Sequence, residues 1–324
     1  MKVLVTKRIP QSGIELLKSA GHSITIYNQE KKATQDELIQ LCQSQDALLV
    51  VGHNQLNSNF FESCSHLKAV ALMSAGYDHV DVAAATRYGI PISNITDVLS
   101  KATSDVAFLL MLSVSRNAFN RHKAIEKGEW KFFDSTANLG IELYGKTLGI
   151  LGLGRIGVEL AKKAAAAFEM KIIYHNRSRN SSAEDQLNAE YVTFDELLKR
   201  SDVLSVHTIL SEQTKEIFNR TAFQKMKPTS IFINTARGPI HHEGDLIEAL
   251  NTKTIWGAGL DVTSPEPMSK DNPLLNLPNV CVLPHIGSAT EETRTKMSAM
   301  AAQNLICALK GKKMPQILNP EVYL

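Results

Sequence analysis

Short apolar runs recur along this chain, and amphipathic stretches with helical periodicity separate them. The runs are Lys2–Thr6, Ala47–Val51, Ala69–Met73, Thr147–Leu151, Lys171–His175, Val203–His207, Ile231–Thr235, Ala258–Val262 and Val280–Leu283. Most are apolar almost throughout, as expected of strands that are buried on both faces. Such strands alternating with helices predict parallel sheets with helices on both sides. There are too many units for one ordinary sheet, so we expect two α/β domains.

A long helical segment from about Lys101 to Gly128 marks the boundary between the two predicted domains. An irregular stretch follows it, before a second series of strands and helices begins. The last helical segment, about Glu291–Lys310, comes after the final strand and could cross back to the first domain. The predicted division is therefore residues 1–100 with 286–324, and an inserted domain of residues 101–285.

Composition and charge exclude several classes of protein. The 324 residues are 44% hydrophobic and 21% charged, with a formal net charge of +2, which indicates a globular protein. This small charge gives no reason to expect a nucleic-acid or membrane partner. No apolar stretch approaches the roughly 20 residues of a membrane span, and no signal peptide is visible. The four cysteines are widely spaced, so we expect free thiols, no metal site and a cytoplasmic location.

The most specific local motif is a glycine-rich turn between a strand and a helix. Gly152, Gly154 and Gly157 form Gly-x-Gly-x-x-Gly directly after the run Thr147–Leu151. The first glycine of this motif permits a tight turn, the second lets the backbone approach a pyrophosphate, and the third lets the helix pack closely. The helix N-terminus attracts the anion. A purely structural turn is the alternative, but the flanking strand and helix favour dinucleotide binding.

The end of the next strand predicts which dinucleotide binds. An NAD site places Asp or Glu near His175, where the carboxylate hydrogen-bonds the adenosine ribose and repels a 2′-phosphate. This sequence has Asn176, Arg177, Ser178 and Arg179 there instead. Cationic and hydroxyl donors suit a phosphate. We therefore expect NADP(H) to be preferred and NAD(H) to be possible, with a solvated basic loop as the alternative.

Three ionisable residues, Arg237, Glu266 and His285, each follow an apolar run of the second domain. Since ligands bind at the carboxyl ends of parallel strands, we expect these side chains at the cofactor site. An arginine there can hold a carboxylate and polarise the neighbouring carbonyl. A histidine beside a carboxylate can donate the proton that a ketone needs during hydride reduction. The three residues are the predicted catalytic set, although each alone also fits a structural role.

These segments together resemble the D-isomer-specific 2-hydroxyacid dehydrogenases, especially the glyoxylate/hydroxypyruvate reductase branch. The resemblance covers nearly the whole chain and is carried by Met73–Asp81, the glycine motif, Met226–Gly238, Asp261–Pro267 and Pro284–Gly287. It implies an oxidoreductase that transfers a hydride to a small 2-oxo acid and forms the (R)-2-hydroxy acid. It also implies two Rossmann- or flavodoxin-like domains separated by an active-site cleft. A homodimer is implied too, with Lys101–Leu143 as its arm.

The resemblance also assigns roles to individual positions. His285 would be the general acid/base, Glu266 its partner and Arg237 the substrate-binding arginine. Asp261 would hold the nicotinamide carboxamide. The implied substrate-binding residues are Ser74, Ala75, Gly76 and, on a loop over the substrate, His53. The other implied cofactor contacts are Arg155, Ile156, His207, Thr208, Thr235, Ala236 and Gly287.

Two departures from the family pattern bear on these expectations. His242 stands where many relatives have a helix-capping Asp, and we expect His241 and His242 to be exposed structural residues. The dimer arm near Asn138 lacks the bulky aromatic that the reductase branch often carries, so the substrate stays open. The alternatives are an NAD-dependent sister enzyme of the phosphoglycerate dehydrogenase type and a cofactor-sensing corepressor.

Overall fold

The computed structural model describes all of residues 1–324 and divides them into two compact units. Unit 1 comprises Met1–Leu99 and Ser288–Leu324, and unit 2 comprises Ser100–Gly287. Each unit contains one parallel sheet, of five strands in unit 1 and seven in unit 2. The predicted fold class, α/β with two parallel-sheet domains, is confirmed. No helix is both long enough and apolar enough to span a bilayer.

Unit 1 has the strand order β2-β1-β3-β4-β5. Its strands are β1 (Lys2–Val5), β2 (Ser23–Ile26), β3 (Ala47–Val50), β4 (Ala69–Leu72) and β5 (Ile92–Ser93). Its helices are α1 (Gln11–Ser19), α2 (Gln35–Cys42), α3 (Ser58–Ser63), α4 (Val82–Arg87) and a C-terminal helix, Glu291–Leu309. Strands β3 and β4 are buried at every position, which explains their continuous apolar sequence.

The C-terminal helix packs against α1 through a close contact at Gly13. A Cβ atom on Gly13 would lie 2.3 Å from Oγ and 2.6 Å from the carbonyl oxygen of Ser298. The Gly13 N–H donates to Ser298 Oγ at 3.2 Å, and that hydroxyl donates to Pro10 O at 2.9 Å. The last segment of the chain therefore completes unit 1, and the contact leaves no room for a side chain at residue 13.

Unit 2 has the strand order β12-β11-β10-β9-β6-β7-β8. Its strands are β6 (Thr147–Leu151), β7 (Lys171–His175), β8 (Glu190–Tyr191), β9 (Val203–Val206), β10 (Ile231–Asn234), β11 (Gly257–Leu260) and β12 (Val280–Val282). Its helices are α5 (Ser100–Ser115), α6 (Ala118–Glu126), α7 (Arg155–Phe168), α8 (Ser181–Leu187), α9 (Phe194–Arg200), α10 (Arg220–Lys225) and α11 (Glu243–Asn251). The order reverses between β6 and β9, and such a switch point is where open parallel sheets bind ligands.

The helical segment predicted over Lys101–Gly128 is two helices and not one. It breaks after α5 at Asn117, which adopts a left-handed conformation with φ of 51°. Asparagine tolerates this conformation better than most residues. Helix α5 has many buried residues, whereas α6 has none. The break therefore separates a core helix from a solvent-facing one.

We expect Gly13→Ala to destabilise unit 1 by about 3 kcal/mol, because the new methyl group meets backbone atoms that cannot rotate away. The measurement is the urea midpoint of unfolding, followed by circular dichroism. Gln11→Ala on the exposed start of α1 is the matched control and should leave the midpoint nearly unchanged. Equal midpoints for the two variants would contradict the close packing at Gly13.

Candidate active site

The three glycines of the turn between β6 and α7 have different steric surroundings. Gly152 has a positive φ of 96°, and a Cβ there would lie 2.6 Å from Thr208 N. A Cβ on Gly157 would lie 2.8 Å from Gly152 O. A Cβ on Gly154 would meet no atom within 4 Å. The first and third glycines permit close packing, whereas Gly154 borders open space.

The N-terminus of α7 faces this same turn. Gly154 is its N-cap and offers no side chain to the first-turn N–H groups, and no acidic residue lies in that turn. These groups and the helix dipole give the turn a positive potential. An uncapped helix start beside an open glycine fits the pyrophosphate of a dinucleotide, with Arg155 and Ile156 as the first helical residues.

The loop after β7 is tied to the glycine turn by two asparagines. The Leu153 N–H donates to Asn176 Oδ1 at 2.7 Å, and Asn180 Nδ2 donates to Leu153 O at 2.8 Å. Both backbone polar groups of Leu153 are therefore satisfied from this loop. Arg177 and Ser178, between the two asparagines, are exposed. The predicted 2′-phosphate residues thus lie on a loop held next to the predicted pyrophosphate site.

Arg179 differs from Arg177 because it already has a carboxylate partner. Its Nε donates to Glu184 Oε1 at 3.0 Å and its Nη2 donates to Glu184 Oε2 at 2.6 Å. On the strand itself, His175 Nδ1 hydrogen-bonds Val192 O at 2.8 Å. The sequence predicted Arg177 and Arg179 as equivalent, and the structure places them in different surroundings.

His285 and Glu266, predicted as a pair, are in direct contact. They follow β12 and β11, which are neighbours in the sheet, and His285 Nδ1 donates to Glu266 Oε1 at 2.5 Å. Because the carboxylate accepts this bond, the imidazole carries a proton on Nδ1. His285 adopts φ of 53°, which is uncommon for a residue with a side chain.

Asp261 holds the turn that contains His285. Its Oδ1 accepts from the Ile286 N–H at 2.8 Å and its Oδ2 accepts from the Gly287 N–H at 2.7 Å. Burial raises the pKa of this carboxyl, while the two N–H donors act in the opposite direction. Sequence reasoning gave Asp261 only a cofactor role. The contacts show that it also fixes the backbone on which His285 depends.

The loop that carries Arg237 rests on Asn234, a buried residue that sequence reasoning missed. Asn234 Oδ1 accepts from the Ala236 N–H at 2.9 Å, and Nδ2 donates to Arg237 O at 2.8 Å. Next to it, a Cβ on Gly238 would lie 2.0 Å from Thr263 O, so this loop packs tightly on the segment that leads to Glu266. A buried side-chain amide at the end of a strand needs hydrogen-bond partners, and this requirement was the signal in the sequence that pointed to Asn234.

The expectation that His241 is exposed is wrong. His241 is buried, its Nδ1 accepts from Asn234 Nδ2 at 3.1 Å, and its ring packs edge-on against Phe232. Burial lowers the pKa of His241 to about 4, so the imidazole is neutral at pH 7. His242 is partly exposed as expected. It caps α11 all the same, because its Nδ1 accepts from the Asp245 N–H at 3.2 Å.

His207 and Thr235, both predicted at the cofactor site, lie together at the switch point. His207 Nδ1 is 3.4 Å from Thr235 Oγ1, and Nε2 hydrogen-bonds Ser205 Oγ at 2.9 Å. Burial lowers the pKa of His207 to about 4, which keeps the ring neutral at pH 7. The backbone of Thr208 packs on Gly152, so these residues border the glycine turn.

In unit 1, the loop Ser74–Gly76 has all three carbonyl groups hydrogen-bonded. Ser74 O accepts from Ile95 N–H at 2.8 Å, Ala75 O from Asn94 Nδ2 at 2.7 Å, and Gly76 O from Ser74 Oγ at 2.8 Å. The C=O and N–H of a trans peptide point in opposite directions. The Ala75 and Gly76 N–H groups are therefore directed away from these partners.

His53, on another loop of unit 1, lies against the ring of His79.

Comparison with known families identifies unit 2. Residues 108–287 match the sequence model of the D-isomer specific 2-hydroxyacid dehydrogenase, NAD binding domain. The chain belongs to the D-isomer-specific 2-hydroxyacid dehydrogenases. It is therefore an oxidoreductase with a nicotinamide cofactor, and the resemblance inferred from the sequence is confirmed.

Relatives of this dehydrogenase match over nearly its full length. The glyoxylate reductase of Pyrococcus furiosus is 39% identical over 99% of this chain and 96% of its own. The glyoxylate/hydroxypyruvate reductase B of Salmonella schwarzengrund is 42% identical over 82% of each chain. Among solved structures, a glyoxylate reductase from Paecilomyes thermophila has a TM-score of 0.88 and 34% identity, covering 99% of this chain and 98% of its own. The TT0316 protein of Thermus thermophilus has a TM-score of 0.91 and 36% identity, covering 98% of this chain and 100% of its own.

We expect Asp261→Asn in this dehydrogenase to lower kcat on the order of 100-fold. The amide NH₂ would face a backbone N–H of Ile286 or Gly287, and the His285 turn would lose one hydrogen bond and shift. Steady-state kinetics measure the effect, with Asp271→Asn as a control on an exposed acid of the same unit. A kcat within twofold of the wild type would show that the turn keeps its geometry without the second carboxylate oxygen.

Proposed function

We propose that this dehydrogenase reduces a small 2-oxo acid, glyoxylate or hydroxypyruvate, to the (R)-2-hydroxy acid, with NADP(H) as the preferred cofactor. The observation that carries the proposal is the His285–Glu266 hydrogen bond at the carboxyl ends of neighbouring strands. The names of the relatives support the substrate class. A free-cysteine protein of this kind fits a cytoplasmic location.

The nicotinamide supplies the hydride when it is bound. Residues of the chain donate the proton and stabilise the charge. His285 holds its Nδ1–H against Glu266, so Nε2 carries the proton that goes to the forming alkoxide oxygen. The Glu266 carboxylate stabilises the positive imidazolium before that transfer. In the oxidation direction the same Nε2 takes the proton back from the hydroxyl group.

Arg237 is the proposed substrate-binding cation. A guanidinium can donate two parallel hydrogen bonds to a carboxylate and a further one to the neighbouring 2-oxo oxygen, which polarises the carbonyl for hydride attack. Support comes from the loop itself, since Asn234 bonds the carbonyl of Arg237 and Gly238 packs on Thr263. The N–H groups of Ala75 and Gly76 are further proposed ligands of the substrate carboxylate, and His53 is a proposed substrate contact.

The proposed preference for NADP(H) rests on the loop after β7. No acidic residue stands at Asn176, which uses its amide oxygen for the Leu153 N–H. Nothing on this loop repels a 2′-phosphate, and Arg177 and Ser178 are exposed there as donors. The remaining proposed contacts are Asp261 for the carboxamide and His207, Thr208, Thr235, Ala236 and Gly287 along the groove.

We also propose a homodimer that forms through the arm after α5. Within this arm, Trp130, Phe132 and Phe133 are 70%, 75% and 87% exposed. Helix α6 has no buried residue. Soluble proteins rarely leave neighbouring aromatic side chains in water unless a partner covers them. A second copy of the chain is the proposed partner.

His285→Ala should lower kcat by about 10²- to 10⁴-fold, the usual contribution of general acid catalysis, because the alkoxide loses its proton donor. Binding of NADPH, measured by fluorescence titration, should stay within a few-fold of wild type. His66→Ala, at an exposed histidine of unit 1, is the control. Near-normal turnover by His285→Ala would move the proton donor to another residue.

Arg177→Ala should raise the KM for NADPH about 10- to 100-fold and leave the KM for NADH nearly unchanged, because only NADPH carries the 2′-phosphate. Initial rates with glyoxylate and hydroxypyruvate at 340 nm measure both constants. Arg220→Ala, at an exposed arginine of α10, is the control. Equal changes for the two cofactors would argue against a 2′-phosphate contact at residue 177.

Replacing Trp130, Phe132 and Phe133 together by Ser should convert the proposed dimer into a monomer, because the exposed aromatic surface would no longer gain from burial. Light scattering after size-exclusion chromatography gives the mass. Leu16→Ser, at a partly exposed leucine of unit 1, is the control. A dimeric triple variant would place the interface elsewhere, and a monomeric wild type would remove the dimer from the proposal.

A further inference from the structure

Arg179, on the loop after β7, forms an ion pair with Glu184 on α8. Two parallel hydrogen bonds join Nε and Nη2 of the guanidinium to the two carboxylate oxygens, at 3.0 and 2.6 Å. This side-on arrangement is the strongest geometry for an arginine and a carboxylate. It occupies one edge of the guanidinium and fixes the orientation of its plane.

Glu184 is itself held in place from the sheet. The hydroxyl of the buried Tyr174 donates to the Glu184 carboxylate and accepts from the Asn180 N–H at 2.8 Å. Asn180 in turn caps α8 through the Ala183 N–H and bonds Leu153 of the glycine turn. Contact with Arg179 lowers the pKa of Glu184, so the carboxylate is charged at neutral pH. The pair therefore stands on a connected set of bonds that begins at the fully buried Tyr174.

The other edge of the Arg179 guanidinium faces outward. The bonds to Glu184 use Nε and Nη2, and the Arg179 side chain is 65% exposed whereas the Glu184 side chain is 16% exposed. The Arg179 guanidinium also lies 5.8 Å from the ring centre of Tyr191. An exposed arginine normally samples many rotamers and loses that freedom when it binds a ligand. Here the carboxylate has already restricted it.

We propose that Glu184 is a positioning residue for cofactor selection, which holds Arg179 so that its outer edge binds the adenosine 2′-phosphate. The inference rests on the proposed preference for NADP(H). Arg177 is the second cation of the same site and has no such support. Glu184 therefore increases the affinity for the phosphorylated ribose although its own charge is negative.

The negative charge of Glu184 also acts directly on the phosphate, in the direction opposite to the positioning of Arg179. The experiment distinguishes these two effects. A carboxylate near a phosphate repels it, and removal of that charge would strengthen NADPH binding. Repulsion acts directly on the phosphate and would persist without Arg179. Positioning acts only through Arg179 and would disappear with it. A double-mutant cycle distinguishes these cases.

The test measures binding of 2′,5′-ADP and of 5′-ADP by isothermal titration calorimetry, with the full-length protein. Glu184→Gln should weaken 2′,5′-ADP binding roughly 3- to 10-fold, which is the cost of ordering one freed arginine, and leave 5′-ADP binding unchanged. Arg179→Ala should weaken 2′,5′-ADP at least as much. Adding Glu184→Gln to Arg179→Ala should then have no further effect. Glu190→Gln, which breaks the similar Glu190–Arg200 pair, is the matched control and should change neither ligand.

Several results would overturn the proposal. These are unchanged or tighter 2′,5′-ADP binding by Glu184→Gln, a similar loss for both ligands, or an effect of Glu184→Gln that survives in the Arg179→Ala background. The wild-type affinities for the two ligands distinguish a failure of this proposal from a failure of the proposed function. Equal wild-type affinity for 2′,5′-ADP and 5′-ADP would remove the NADP(H) preference itself. If the wild type prefers 2′,5′-ADP over 5′-ADP and Glu184→Gln leaves both affinities unchanged, only the role of Glu184 is removed.

Discussion

The segments of unit 2 that carry Arg237 and His285 depend on buried polar side chains that bond to backbone groups of the loops. Asp261 takes both N–H groups of the turn after His285 and so maintains a backbone conformation that a histidine rarely adopts. Asn234 holds the loop of Arg237 through one backbone N–H and one backbone carbonyl. In each case a buried side chain at or just after the end of a strand fixes the backbone of the loop that follows. The His285 side chain is partly exposed, whereas Asp261, which supports its turn, is buried.

This arrangement also explains the two buried neutral histidines. His241 accepts a hydrogen bond from Asn234, and His207 lies between Ser205 and Thr235 at the carboxyl ends of β9 and β10. Neither carries a charge at neutral pH, because burial places the pKa of each at about 4. They act as hydrogen-bonding parts of the scaffold. His285, which bonds a carboxylate at the end of a strand, has different surroundings although all three are histidines.

The sequence predicted the central strands of both sheets because strands buried on both faces are apolar throughout. It did not predict β2, β5 and β8: β2 is largely exposed, and β5 and β8 have only two residues each. The break at Asn117 was also missed, although asparagine is a weak helix former that tolerates a left-handed conformation. The proposed catalytic residues could be picked out from the sequence because they follow strands. Their supports were not, because the link between Asn234 and His241, or between Gly238 and Thr263, exists only after the chain folds.

The bonds from Asn176 and Asn180 to Leu153 fix two positions of the loop after β7 against the glycine turn. The two asparagines join the loop to the glycine turn, whereas Arg177 and Ser178 between them are exposed. Residues 177 and 178 can therefore be exchanged during evolution, or by a protein engineer, without moving the turn. A change at either asparagine would alter both regions together. The residues that face the adenosine ribose can change in this scaffold while the glycine turn keeps its conformation.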